Sequence, residues 1–85
     1  MTAPTIGQVV HYRLTDEDET NVRFIGAHGN RPRGGDVYPA MIVRVWDETN
    51  VNLQVFIDGP STLWATSRVQ GDTPGRWMLP PPRKG

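Results

Sequence analysis

Few side chains in this sequence have the neighbours that chemistry requires. Two histidines are present, His11 in VVHYR and His28 in GAHGN. For hydrolysis, His11 would have to reach Ser61, Thr66 or Ser67 with a carboxylate behind it, and those three are ordinary strand and turn residues. No nucleophile elbow, phosphate-binding loop or zinc spacing occurs. The acidic run Asp16-Glu17-Asp18-Glu19 lacks the glycine and the distal glutamate of a calcium loop, and reads as a solvated turn. His11 therefore reads as a structural histidine on a strand and His28 as a solvated loop residue. No catalytic residue, metal ligand or cofactor is assigned, and the expectation is a protein that is not an enzyme.

Chemistry of recognition is better represented. Three tryptophans (Trp46, Trp64, Trp77), Phe56 and the arginines Arg44 and Arg68 fall in the second half of the 85-residue chain. Arginine outnumbers lysine eight to one. That bias reflects either codon usage or the planar, stacking contacts that arginine makes at interfaces. Net charge is zero, nine basic against nine acidic side chains, which weighs against nucleic acid as a partner. The segment RPRGGD (31–36) carries one Arg-Gly step and reads as flexible loop; LPPPR (79–83) is extended polyproline, a ligand or a strap. No run approaches the ~20 apolar residues of a membrane span. The start, MTAPTIGQ, has neither the basic nor the apolar part of a secretory signal, so a soluble chain made in a cytoplasm is expected.

The elements that must position these residues are strands. GQVVHYRL (7–14) is the first, rich in β-branched and aromatic residues. Residues 15–36, with four glycines and no periodicity, read as a long loop dispensable for folding, its middle pinned by Phe24-Ile25. Strands are expected at 38–46, 51–58 and 62–69, joined by the short turns DETN and GPS and hence antiparallel. Pro74-Gly75 signals a turn, and RWML can add a brief fifth strand. No helix is required. The fold class is all-β, a small SH3-like barrel of four to five antiparallel strands, with a long first loop and an extended Pro-rich tail. Its parts are an arm at 1–6, a single barrel domain at 7–79 and a tail at 80–85. A chain this short, without cysteines, has a marginal core and gains from oligomerisation or from docking on a larger body.

Alternation of faces sorts the side chains. Parity puts Met41, Val43 and Val45, then Val51, Leu53, Val55 and Ile57, then Leu63, Ala65, Ser67 and Val69 in the core. It pairs Val45 with Leu53, Val43 with Val55, Ile57 with Leu63 and Val55 with Ala65; a slip of two residues would keep the same parity. The opposite face then carries the rows Ile42–Phe56–Trp64, Arg44–Gln54–Thr66 and Trp46–Asn52–Arg68. An aromatic patch of that size is either covered by the tail, through Trp77, Met78 and Leu79, or belongs to an interface. Tail coverage is expected for Phe56 and Trp64, leaving Trp46, Arg44 and Arg68 at the rim. Interface or ligand-binding candidates are Arg44, Trp46, Asn52, Phe56, Trp64, Arg68 and Trp77.

Four blocks in order, IGQVVHY (6–12), YPAMIVRVW (38–46), NLQVFIDG (52–59) and WATSRVQGDTPGRWMLP (64–80), resemble a family of small proteins of tailed bacteriophages and prophages. The resemblance spans about two thirds of the chain and skips 15–36. It implicates His11, Tyr12, Pro39, Arg44, Trp46, Asn52, Asp58, Gly59, Trp64, Thr66, Ser67, Trp77 and Pro80. Where the family pattern ends in W-H-W-P this chain has WMLP, so a histidine is missing and packing is favoured over chemistry. The resemblance implies a phage setting without an activity. The resulting expectation is a head-decoration or minor capsid protein of the virion, made in the host cytoplasm and acting on other virion proteins or as a homo-oligomer. The alternatives are a binder of a small nucleotide-like ligand that sequesters a host defence signal, with Arg44 and Arg68 flanking a stacked base, or a small nucleic-acid-binding barrel.

Overall fold

The computed structural model describes residues 3–25 and 30–81; His28 and the last four residues of the tail lie outside these, as do the side chains of Phe24 and Ile25. Five strands form one antiparallel sheet that curls into a half-barrel. They are β1 (Val9–Arg13), β2 (Val37–Val45), β3 (Asn50–Phe56), β4 (Thr62–Val69) and β5 (Trp77–Met78), ordered β4-β3-β2-β1-β5. At one end the sheet nearly closes, where Gln70 bridges Trp77 and the Gly71 N–H donates to the Trp77 carbonyl at 2.8 Å. The fold is the expected small all-β barrel, and all four long strands lie within one or two residues of their expected bounds.

One element departs from expectation. Residues 16–25 form a helix, α1 (Asp16–Ile25), between β1 and β2. Its start is written locally in Thr15-Asp16-Glu17-Asp18. The Asp18 N–H donates to Thr15 Oγ1 at 3.0 Å, and the Thr15 N–H donates to Asp18 Oδ2 at 3.0 Å. This reciprocal cap satisfies two donors that a helix end leaves orphaned. The four acidic residues of the first turn also complement the positive end of the helix dipole, and Glu19 pairs with Arg23 one turn on at 2.9 Å. The acidic run is thus a helix start rather than a solvated turn. Nor is the segment only a loop: Asp18 and Val22 within it are buried, as is Leu14 just before it.

The core lines the concave face of the sheet. It contains Val10, Tyr12, Leu14, Val22, Ala40, Ile42, Val51, Leu53, Val55, Ile57, Leu63, Ala65 and Trp77. Simple alternation works along β1, where Val10 and Tyr12 face in and Val9 and His11 face out. It fails in β2, whose buried residues are Ala40 and Ile42 instead of Met41 and Val43. The pairing explains why. Ala40 faces Val55 and Ile42 faces Leu53, but Arg44 faces Asn52, so Val43 is an extra residue bulged out of the ladder. Val43 is 39% exposed. Between β3 and β4, Val55 pairs with Leu63 and Leu53 with Ala65, which is the two-residue slip from the expected register that leaves parity unchanged.

Tyr12 and Asp18 join helix to sheet inside the core. The Tyr12 hydroxyl donates to Asp18 Oδ2 at 2.6 Å, and both residues are buried. Arg68 completes the group, its Nη2 lying 3.9 Å from Asp18 Oδ1 and its guanidinium 5.8 Å from the Tyr12 ring centre. Burial foremost, then the hydrogen bond to Asp18 and its charge, push the Tyr12 phenol well above its ordinary value of 10.0. A folded-state pKa above the unfolded one means the folded chain holds this proton more tightly. Stability from this source is complete below about pH 10 and is lost as pH rises past that point.

Two outcomes test this packing. Ile42→Ala should cost about 2–5 kcal/mol in urea unfolding while Val43→Ala costs less than about 1; equal losses would place both side chains inside. Tyr12→Phe should lower stability at neutral pH yet flatten the fall in melting temperature above about pH 10. An alkaline limb identical to that of the parent would assign it to another group.

Candidate functional site

The convex face of the sheet carries the residues singled out for recognition. Its central row, read across the strands, is Val9, Met41, Gln54 and Trp64, each paired with the next. Phe56 pairs with Thr62 and so lies diagonal to Trp64, within reach of it, instead of directly opposite. Ile42 belongs to the core and leaves this face altogether. Trp64 is 64% exposed and Phe56 40%, with Val9 at 50% beyond them. The described part of the C-terminal segment, through Pro81, does not cover them. β5 pairs with β1, at the far side of the sheet from β4, and Trp77 turns inward as the partner of Tyr12. Trp77 is a core residue, its indole N–H donating to the Thr49 carbonyl at 3.0 Å.

Beside this row the sheet is bent by two bulges, and both sit against Asn52. On one side Val43 is the extra residue of β2. On the other, Leu53 pairs with Ala65 but Val51 pairs with Arg68, so Thr66 and Ser67 together face Asn52. Ser67 takes a left-handed backbone, φ 54°, a conformation that costs a residue with a Cβ about 1–2 kcal/mol. The Asn52 carboxamide compensates. Its Oδ1 accepts the Ser67 N–H at 2.7 Å and the Trp46 indole N–H at 2.9 Å. Trp46 is held over the bulge with its ring half exposed, and the Arg44 guanidinium stacks on it at 4.1 Å from the ring centre.

The expected row Trp46–Asn52–Arg68 is therefore half right in space. Trp46, Arg44 and Asn52 form one cluster, but the Ser67 bulge reverses the parity of the residues after it, so Ser67 and Val69 are exposed instead of lying in the core. Arg68 turns to the concave side, toward Asp18 and Tyr12. It does not flank the aromatic patch. His11 pairs with Pro39 and Met78 on the convex face, partly buried and without a carboxylate partner among the described residues. Among those residues no group of three or more His, Cys, Asp or Glu side chains is placed to hold a metal ion.

Sequence reasoning missed Val9, Met41 and Val43 as members of the convex face and the Tyr12–Asp18 pair within. The capping pattern Thr15-x-x-Asp18 is the signal that would have found the helix and, with it, the buried carboxylate. Comparison with protein-family models, with curated proteins and with solved structures found no match to the chain. What the site defines is a class: a small β-barrel module with an exposed aromatic face.

Replacing Asn52 with Ala should cost about 1–3 kcal/mol, because Ser67 loses the acceptor that holds its strained backbone. The same change should free the Trp46 indole, giving a red-shifted and more quenchable fluorescence. Ser67→Gly, which removes the left-handed penalty, should offset up to about 1 kcal/mol of that loss in the double variant.

Proposed function

We propose that this chain is a non-enzymatic accessory protein of a tailed-phage particle, a head-decoration or minor capsid component, and that it docks on neighbouring virion proteins through its convex face. The observation that carries the reading is the exposure of Trp64, Phe56 and Val9 on the convex face, with the Arg44–Trp46 stack on the same face. Large aromatics next to a planar cation are the side chains that dominate protein–protein contacts. The described segments leave them exposed, and large apolar side chains gathered on one face of a small chain mark an interaction site. The resemblance of the four sequence blocks to tailed-phage proteins supplies the setting.

A nucleotide-binding reading has less support. It asks for two guanidinium groups beside the aromatics, and only Arg44 is there among the described residues. Mass spectrometry of purified virions decides between the two, with the chain expected in many copies per particle. Trp64→Ser, at an exposed position, should shift stability by less than about 0.5 kcal/mol and yet remove the chain from the particles. Absence of the unaltered chain from virions, or nucleotide co-purifying with it, would overturn the docking reading.

A further inference from the structure

The two edges of the sheet are not equivalent. At the β5 edge, Trp77 is already engaged by Gln70 and Gly71. At the other edge stands β4, eight residues long, with nothing beyond it in the strand order. Backbone groups along an antiparallel strand point alternately to either side. The Trp46 N–H donates to the Asn50 carbonyl, and the Gln70 N–H to the Thr49 carbonyl. Asn50 therefore bonds toward β2, and Val51, Leu53 and Val55 bond toward β4. Their partners Arg68, Ala65 and Leu63 face β3. The N–H and C=O of Thr62, Trp64 and Thr66 must then point away from the sheet. Outside the strand ladders, none of them takes part in a hydrogen bond among the described residues.

Folded proteins normally guard such an edge with charge, proline or a very short strand. From Thr62 to Ser67 this edge has none of these. The nearest charge, Arg68, lies beyond the Ser67 bulge and is turned to Asp18. A row of free backbone donors and acceptors specifies another strand as its occupant, and the side chains specify which. About a two-fold axis through Trp64, Thr62 of one copy faces Thr66 of the other and each Trp64 faces its mate. Each of these pairs uses the outward backbone groups just identified. The contact brings no like charges together, and the chain as a whole is neutral.

We propose that β4 pairs antiparallel with β4 of a second copy, centred on Trp64, so that two half-barrels share one continuous sheet. This two-fold contact stacks or edges the two indoles on the convex face, an arrangement that stabilises aromatic cross-strand pairs. It leaves Phe56, Val9 and the Arg44–Trp46 stack outside the contact. It also stands whether or not the chain resides in virions, since a protein absent from particles can still pair with itself.

Light scattering on the purified chain should give twice the monomer mass at high concentration and the monomer mass on dilution. Trp64→Lys and Trp64→Glu, which set like charges opposite each other, should each be monomeric, and mixing them should restore a dimer with one of each. Hydrogen exchange on the unaltered chain needs no variant: the Thr62, Trp64 and Thr66 amides should exchange at least about tenfold more slowly in the dimer than in the dilute monomer. A chain that is monomeric at every concentration overturns the proposal. So does a dimer in which those three amides exchange freely, or one whose mass is indifferent to both charged variants.

Discussion

One carboxamide sets the shape of this barrel. A flat three-stranded stretch of β2, β3 and β4 could not curl tightly enough to bring Gln70 against Trp77. Curvature comes from inserting an extra residue into each strand that flanks β3, at Val43 and at Thr66-Ser67. Both insertions lie at the level of Asn52, whose single oxygen accepts one backbone and one side-chain N–H across them. Asn52 is itself buried on what parity makes the outer face, roofed by Trp46. A hydrocarbon there would leave the Ser67 amide unpaired, at the cost of a buried donor without an acceptor. The convex aromatic face, the inward turn of Arg68 and the near-closure of the sheet all depend on these paired bends.

The concave side is organised by a second polar group, with a different task. A ten-residue helix whose described side chains bury one apolar group, Val22, has little hydrophobic grip from them. Asp18 supplies the rest by acting in two directions. Its carboxylate caps the helix through the Thr15 N–H and reaches into the core for the Tyr12 hydroxyl, with Arg68 nearby to balance its charge. Burying a carboxylate is costly unless it is hydrogen-bonded and paired, and here both conditions are met. The bulge at Ser67 is what delivers Arg68 to this place, so the convex and concave polar groups depend on the same backbone irregularity.

The legibility of the fold tracks how local its causes are. Strands β1 to β4 can be read because β-branched runs and short polar turns announce them. Parity in β1, β3 and the first half of β4 can be read for the same reason. Parity in β2 cannot, because YPAMIVRVW alternates equally well with a bulge or without one, and only the partner strand decides. The helix is hidden for a different reason: an apolar period is the usual sign, and DEDETN offers none, whereas its cap at Thr15 and Asp18 is written in plain residues. Of the candidate site, Trp46, Phe56, Trp64 and Arg44 do lie on the outer face, since exposure of aromatics at polar parity is a local fact. Arg68 and Trp77 go inward, one carried by a bulge and the other by pairing with a distant strand.

That distant pairing has a consequence for the order in which the chain can assemble. The β2-β3-β4 meander is joined by short turns, and loop closure there is inexpensive. β1 pairs with β2 across the whole helical insertion, and β5 pairs with β1 across the full length of the chain between them. Contacts between residues so far apart in sequence are slow to form. Until Trp77 arrives, the core lacks its largest side chain, and β1 presents the backbone of His11 and Arg13 as an open edge. Of the five strands, the first to be synthesised is the one whose outer edge is sealed last. During that interval the nascent barrel has two adhesive margins where the finished one has a single margin at β4.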